Sequence, residues 1–93
     1  MIVGVLRIRA LLRGAHSLKE KRQVLRSLKD RLHNTFNISV AEVDAQDVWQ
    51  TIELGIAAVG TDTPFVQSVL SNVLNFIRGF HGLELCDHEI ETF

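Results

Sequence analysis

The sequence has few of the features that crosslink a chain, anchor it in a membrane or direct its secretion. Cys86 is the only cysteine among 93 residues, so no internal disulfide can form, and we interpret it as a small apolar filler. There is no tyrosine and one proline. No apolar run approaches the ~20 residues that cross a membrane as a helix, and the first residues resemble a strand more than a signal peptide. These absences favour a small domain in a reducing cytoplasm.

Residue constellations that carry out a reaction are also missing. The sequence has no Gly-rich phosphate loop and no Ser–His–Asp arrangement. His88 lies between two acidic residues on a predicted strand, but alternate strand residues point to opposite faces, so the three cannot easily share a metal. Asp44 and Asp47 sit in a turn, where they either hold a cation or make local hydrogen bonds. We therefore expect a non-enzymatic protein with no catalytic residues, metal or cofactor.

Positive charge is concentrated in the first third of the chain. The net charge is −1, from 10 basic and 11 acidic residues. Residues 1–36 hold nine basic residues against two acidic ones, a net +7, whereas residues 37–93 hold one against nine, a net −8. This division indicates either a polyanionic partner or head-to-tail association between copies.

Hydrophobic periodicity predicts a strand and then a helix in this basic segment. Residues 2–12 alternate with a period of two, which is typical of a half-buried strand. After a turn at residues 14–16, Ser17-Leu18-Lys19-Glu20 forms a capping box that starts a helix, and we place its end at Asn34. The buried stripe of this helix is predicted to contain Leu18, Val24, Leu25, Leu28 and Leu32.

The remaining sequence predicts two strands, a helix and an edge strand. Residues 37–43 and 49–59 form a hairpin around a turn at 44–47. Pro64 starts a second helix that ends at Gly79, and residues 83–90 form an acidic edge strand. The order β-α-β-β-α-β predicts one α+β domain over residues 1–93. It is a ferredoxin-like βαββαβ sandwich, with two helices on one face of a four-stranded antiparallel sheet. The predicted core contains Leu6, Ile8, Ile52, Leu54 and Ile56.

Several segments resemble the bacterial YlxP-like family. They are residues 1–6, the stretch Gly14-Ala15-His16-Ser17-Leu18-Lys19-Glu20-Lys21-Arg22, residues 40–44, 46–47, 49–50 and 55–59, and the acidic C-terminal strand. The resemblance implies a ferredoxin-like domain of unknown function, with genes often near those for translation initiation and ribosome maturation. It implies no catalytic residues. Position 45 is alanine where the family leads us to expect a polar residue, which argues against a metal or catalytic site in this turn.

The basic first helix is the main functional candidate. Its proposed nucleic-acid-binding residues are Lys19, Arg22, Arg26 and Lys29, which advance by three or four positions along one flank, with His16 and Lys21 at the helix start. Such a flank can follow phosphates and release their counterions. We expect RNA or a ribosomal particle as the partner. Because Trp49 is the only aromatic residue near the central strands, base stacking on the sheet is not expected, and sequence specificity should be low.

Other interpretations of this helix and of the turn before it stay open. The cations can be a solvated helix exterior whose charges pair partly with Glu20 and Asp30. His16, the turn and the first-turn amides can bind an anion, or His16 and Ser17 can merely end the turn and cap the helix.

The second sheet face is left uncovered by the predicted topology. It would expose Val3, Val5, Leu11, Ala57 and Val59, with Trp49 at its rim. An apolar patch rimmed by charge marks an interface, so we expect a second copy or a partner protein to cover it. Arg7 and Glu53 can pair across strands on this face.

Overall fold

The first strand follows directly from the alternating sequence. In the computed structural model, which describes residues 1–45 and 48–93, β1 spans Ile2–Leu12 with the predicted boundaries. Leu6 and Ile8 are buried, whereas Arg7 and Arg9 on the opposite face are exposed. This strand therefore separates a core-facing side from an open side.

The order of elements confirms the ferredoxin-like α+β fold. After β1 come α1 (Leu18–Thr35), β2 (Ser39–Asp44), β3 (Thr51–Gly60), α2 (Thr63–Arg78) and β4 (Leu83–Thr92). All neighbouring strands are antiparallel, in the order β2-β3-β1-β4, so β2 and β4 are the edges. β2 and β3 each start two residues later than predicted and end one residue later, and β4 ends two residues later. Of the turn predicted at 44–47, residues 46 and 47 lie outside the described residues. No described helix is long and apolar enough to cross a membrane.

Both helices begin at a side-chain cap. The hydroxyl of Ser17 accepts a hydrogen bond from the Glu20 amide at 3.2 Å, as predicted. The Glu20 carboxylate accepts from the amide of His16, one residue before the position that a capping box ordinarily uses. At α2, Asp62 is the cap and accepts from the Phe65 amide at 2.8 Å. These bonds satisfy amides that have no partner within their helices.

The core lies between the sheet and the two helices. The five strand residues predicted for it are buried, and α1 and α2 add Leu25, Leu28, Leu32, Val66, Leu70, Val73, Leu74 and Ile77. Gly4 lets α2 approach β1 closely, since a Cβ there would lie 2.3 Å from Val66 Cγ1 and 2.8 Å from Leu70 Cδ1.

The predicted stripe of α1 is wrong in its first turn. Leu18 is 36% exposed, and Lys21 is buried instead, with 1% of its surface exposed. Lys21 precedes Leu25 by four residues and Leu28 by seven, so it shares their face of the helix. The core of this protein therefore includes an ammonium group.

Candidate nucleic-acid interface

Four basic side chains form a continuous flank of α1. We call Lys19, Arg22, Arg26 and Lys29 the basic flank. The first three are exposed and Lys29 is half-buried. At 1.5 Å per residue, the flank extends about 15 Å along the helix axis. Among the residues that the structure describes, none of the four makes an ion pair.

A shallow groove runs between the basic flank and the edge strand β2. Its volume is about 280 Å³. It is lined by Arg22, Leu25, Arg26, Lys29, Asp30 and Glu42. Of the two acidic residues expected to pair with the flank, Glu20 accepts from the His16 amide, and Asp30 lines the groove without an ion pair to any described residue. The cations of the flank are thus directed to solvent and to this groove.

Lys21, predicted with the phosphate-binding set at the helix start, is buried and does not join the exposed flank. Its Nζ donates hydrogen bonds to the carbonyl oxygens of Ala45 and Val48, each at 2.6 Å. Nζ also lies 2.9 Å from Glu42 Oε2, which has no hydrogen-bond partner among the described residues and is held by charge. The ammonium is therefore enclosed by protein and joins α1 to the segment between β2 and β3.

The start of α1 is an aromatic and capping cluster. His16 is exposed, and the centroid of its ring lies 6.5 Å from that of Trp49, with 48° between the planes. Trp49, expected at the rim of the open face, lies in the segment before β3. The Ser17 hydroxyl and the Glu20 carboxylate already accept from amides here, which favours the capping interpretation over an anion site at the first turn.

The open sheet face combines an apolar end with a charged centre. Val3 pairs with Val59, which is 59% exposed, and Val5 pairs with Ala57. Leu11 is also exposed on this face. Arg7 Nη2 lies 3.7 Å from Glu53 Oε2, which confirms the predicted cross-strand pair. On β4, the register places Glu84, Asp87, Glu89 and Glu91 beside β1 on the same face. No described element covers this face.

Metal-ligating side chains do not cluster in the described part of the chain. His, Cys, Asp and Glu side chains within residues 1–45 and 48–93 form no group of three able to hold a metal. Asp44 Oδ1 accepts from the Ala45 amide at 2.7 Å, a local turn bond, while Asp47 lies outside the described residues. Cys86 is exposed at an irregularity in β4, so its interpretation as a buried filler is wrong.

Comparison with known proteins gives the family. Residues 3–90 match the family described as "Protein of unknown function (DUF503)". This chain belongs to that family. It is also 39% identical over 92 residues to the uncharacterized protein YlxP of Bacillus subtilis (strain 168), with 99% of this chain and 100% of YlxP covered. The YlxP-like resemblance is thereby confirmed.

A solved structure supports the fold alone. The de novo designed protein Foldit4 aligns with a TM-score of 0.54 over 100% of this chain and 97% of the designed one, at 14% identity. A ferredoxin-like arrangement supports many unrelated activities, so function must be argued from the surfaces of this DUF503 member.

Sequence reasoning missed the pair of Lys21 and Glu42, although two signals were present. Lys21 has helical spacing to Leu25, Leu28 and Leu32. Glu42 follows Val40 by two residues in β2, which places both on the core-facing side. A cation and an anion at inward-facing positions of adjacent elements indicate a buried ion pair.

Proposed function

We propose that this protein is a non-catalytic accessory factor that binds RNA, free or in a ribosomal particle, through the basic flank of α1. The observation that carries the proposal is the row of four cations on one side of a regular helix, unpaired with any described residue. Cations that are not neutralised by neighbouring carboxylates are available to phosphates.

The arrangement favours contact with the RNA backbone. The basic flank is straight and about 15 Å long, so its cations can meet successive phosphates. The open face carries valine, alanine and charged residues on its central strands, and no aromatic platform for bases. His16 is exposed beside the first turn, but its amide is bound by the Glu20 carboxylate, so the proposal counts only the four cations of the basic flank as phosphate contacts. Among polyanions, the translation-related gene neighbourhood implied by the family resemblance favours RNA.

A salt series tests this function directly. Fluorescence anisotropy with a labelled single-stranded RNA should show log affinity falling linearly with log salt concentration. Four phosphate contacts predict a slope of about −2.8, so affinity should fall about fifty-fold between 50 and 200 mM salt. An affinity that does not change with salt, or no binding at 50 mM, would contradict the proposal.

The open sheet face supports a second candidate, self-association. Val3, Val5, Ala57 and Val59 make one end of this face apolar, and no described element covers it. Two-fold stacking of this face on that of a second copy would remove the apolar end from water.

Sedimentation equilibrium tests the second candidate. We expect a dimer with a dissociation constant on the order of micromolar, weakened at least about tenfold by Val59→Glu, because the substitution buries a charge. Gln67→Glu, on the exposed side of α2, is the matched control and should leave the dimer intact. A wild-type protein that stays monomeric at tens of micromolar would exclude this candidate.

A further inference from the structure

The two edges of the sheet are protected to different degrees. β4 carries Glu84, Asp87, Glu89 and Glu91 on the open face. Charges of this kind prevent a sheet edge from pairing with another strand. β2 carries Ser39, Ala41 and Val43 on that face. Its one charge there, Asp44, is its last residue and lies beside Glu53, after a bulge between Glu42 and Asp44, and the inward-facing Glu42 is paired with Lys21. β2 pairs with β3 alone among the described strands. Over residues 39–42, before the bulge, its outer backbone groups therefore face solvent on an edge that carries no charge on the open face.

Two grooves of different chemistry flank this edge. On the open face, a shallow apolar depression of about 290 Å³ is lined by Val5, Ser39, Val40, Ala41, Val43, Gly55, Ile56 and Ala57. On the helix side lies the groove of about 280 Å³, whose three cations, Arg22, Arg26 and Lys29, outnumber its two carboxylates, Asp30 and Glu42, and Glu42 is paired with Lys21. Successive side chains of a strand point to opposite faces, so a strand added to β2 would place alternate side chains in the two grooves.

We propose that the outer edge of β2 binds an extended peptide segment of a partner protein, in which acidic residues alternate with small apolar ones. Main-chain hydrogen bonds to β2 would hold the segment. Its carboxylates would face Arg22, Arg26 and Lys29, and its apolar side chains would cover Ala41 and Val43. The peptide segment and RNA would compete for Arg22 and Arg26. The peptide site does not require that the protein binds RNA.

The charges argue against a second copy of this chain as the occupant. Two-fold pairing of β2 with β2 would bring two basic flanks together on the same face of the joined sheet, where they repel. If β4 of a second copy continued the sheet, its acidic side chains would lie on the open face beside Ser39, Ala41 and Val43. These acidic side chains would then lie on the face opposite the basic groove. An acidic segment of another protein, whose register can place its carboxylates in that groove, fits the edge better than β4 of a second copy.

The experiment uses the full chain and a labelled nine-residue peptide of alternating glutamate and valine, followed by fluorescence anisotropy. A peptide of the same composition, with its glutamates and valines in separate blocks, is the control for charge attraction. Two further peptides have methylated backbone nitrogens, one at every glutamate and the other at every valine. Each pattern removes the amide donors on one edge of the added strand. We expect the alternating peptide to bind at least about tenfold more tightly than the block peptide. Only one of the two N-methylated peptides should lose binding, because only one edge of the added strand pairs with β2.

Substitutions in the protein give a second, independent measurement. Ala41→Lys protects the edge as lysine does in natural sheets, and should lower the affinity for the alternating peptide at least about fivefold. Simple charge attraction predicts the opposite, because the substitution adds a positive charge. Asn72→Lys, exposed on α2, adds the same charge away from the edge and should not weaken the peptide. Ala41→Lys should leave the salt dependence of RNA binding unchanged, which separates this site from the proposed RNA function.

Three results would overturn the proposal. One is equal binding of the alternating and block peptides. Another is binding that survives both patterns of N-methylation. The third is a dimer of the peptide-free protein that Ala41→Lys abolishes, which would make a second copy the occupant. The N-methylated peptides keep the test decisive if the thermal unfolding of Ala41→Lys shows a damaged fold.

Discussion

A Lys21→Met variant is expected to lose about 3–5 kcal/mol of unfolding free energy. Methionine fills the space of the lysine chain but leaves Glu42 enclosed without a cation, and the carbonyls of Ala45 and Val48 without their donor. Small domains have about 5–15 kcal/mol in total, so the variant would lose a large part of its stability. Urea unfolding followed by circular dichroism measures the change.

A double variant separates the buried charge from packing. Lys21→Met/Glu42→Met should be about 2 kcal/mol more stable than Lys21→Met alone, because it removes the unpaired carboxylate. Lys29→Met, on the same helix and half-buried, removes a cation that pairs with no described residue, and should cost within about 0.5 kcal/mol. If Lys21→Met costs no more than Lys29→Met, the ion pair does not stabilise the fold.

Replacing both arginines at the centre of the basic flank should remove most RNA binding. Two charge-assisted contacts of about 1.5 kcal/mol each correspond to a loss of about 140-fold for Arg22→Gln/Arg26→Gln. The salt slope should fall to about −1.4, since two of four phosphate contacts are gone. Anisotropy titrations at several salt concentrations give both quantities.

A control with the same change in net charge locates the effect. Arg9→Gln/Arg78→Gln removes two exposed cations outside the basic flank, from β1 and the end of α2. It should change affinity less than about threefold, because neither residue contacts phosphate in this proposal. Equal losses in the two double variants would mean that RNA responds to overall charge, and would contradict a site on α1.

Much of the fold could be predicted because its signals are local. The alternation in residues 2–12 set both ends of β1, and Ser17 and Pro64 marked the first turns of the two helices. The start of β3 was predicted two residues too early, because no local pattern encodes the hydrogen bonds that the carbonyls of Ala45 and Val48 accept from Lys21.

The candidate site was predictable only in part. The spacing of Lys19, Arg22, Arg26 and Lys29 was enough to place them on one flank of the helix. The burial of Lys21 was missed because residue type outweighed helical position: lysine is rarely buried, and its partner Glu42 is distant in sequence. The grooves beside β2 depend on the register of three strands and on the placement of α1, which a single sequence does not specify.

The contacts of Lys21 also have a consequence for local opening of the native state. Its two hydrogen bonds span 24 and 27 residues, from the second turn of a helix to the segment that joins two strands. Fraying at the start of α1 would release that segment as well, and opening of the segment would leave the ammonium in the interior without its acceptors. The helix start and the strand connection should therefore open together, as one cooperative unit, although each lies at the end of its own element.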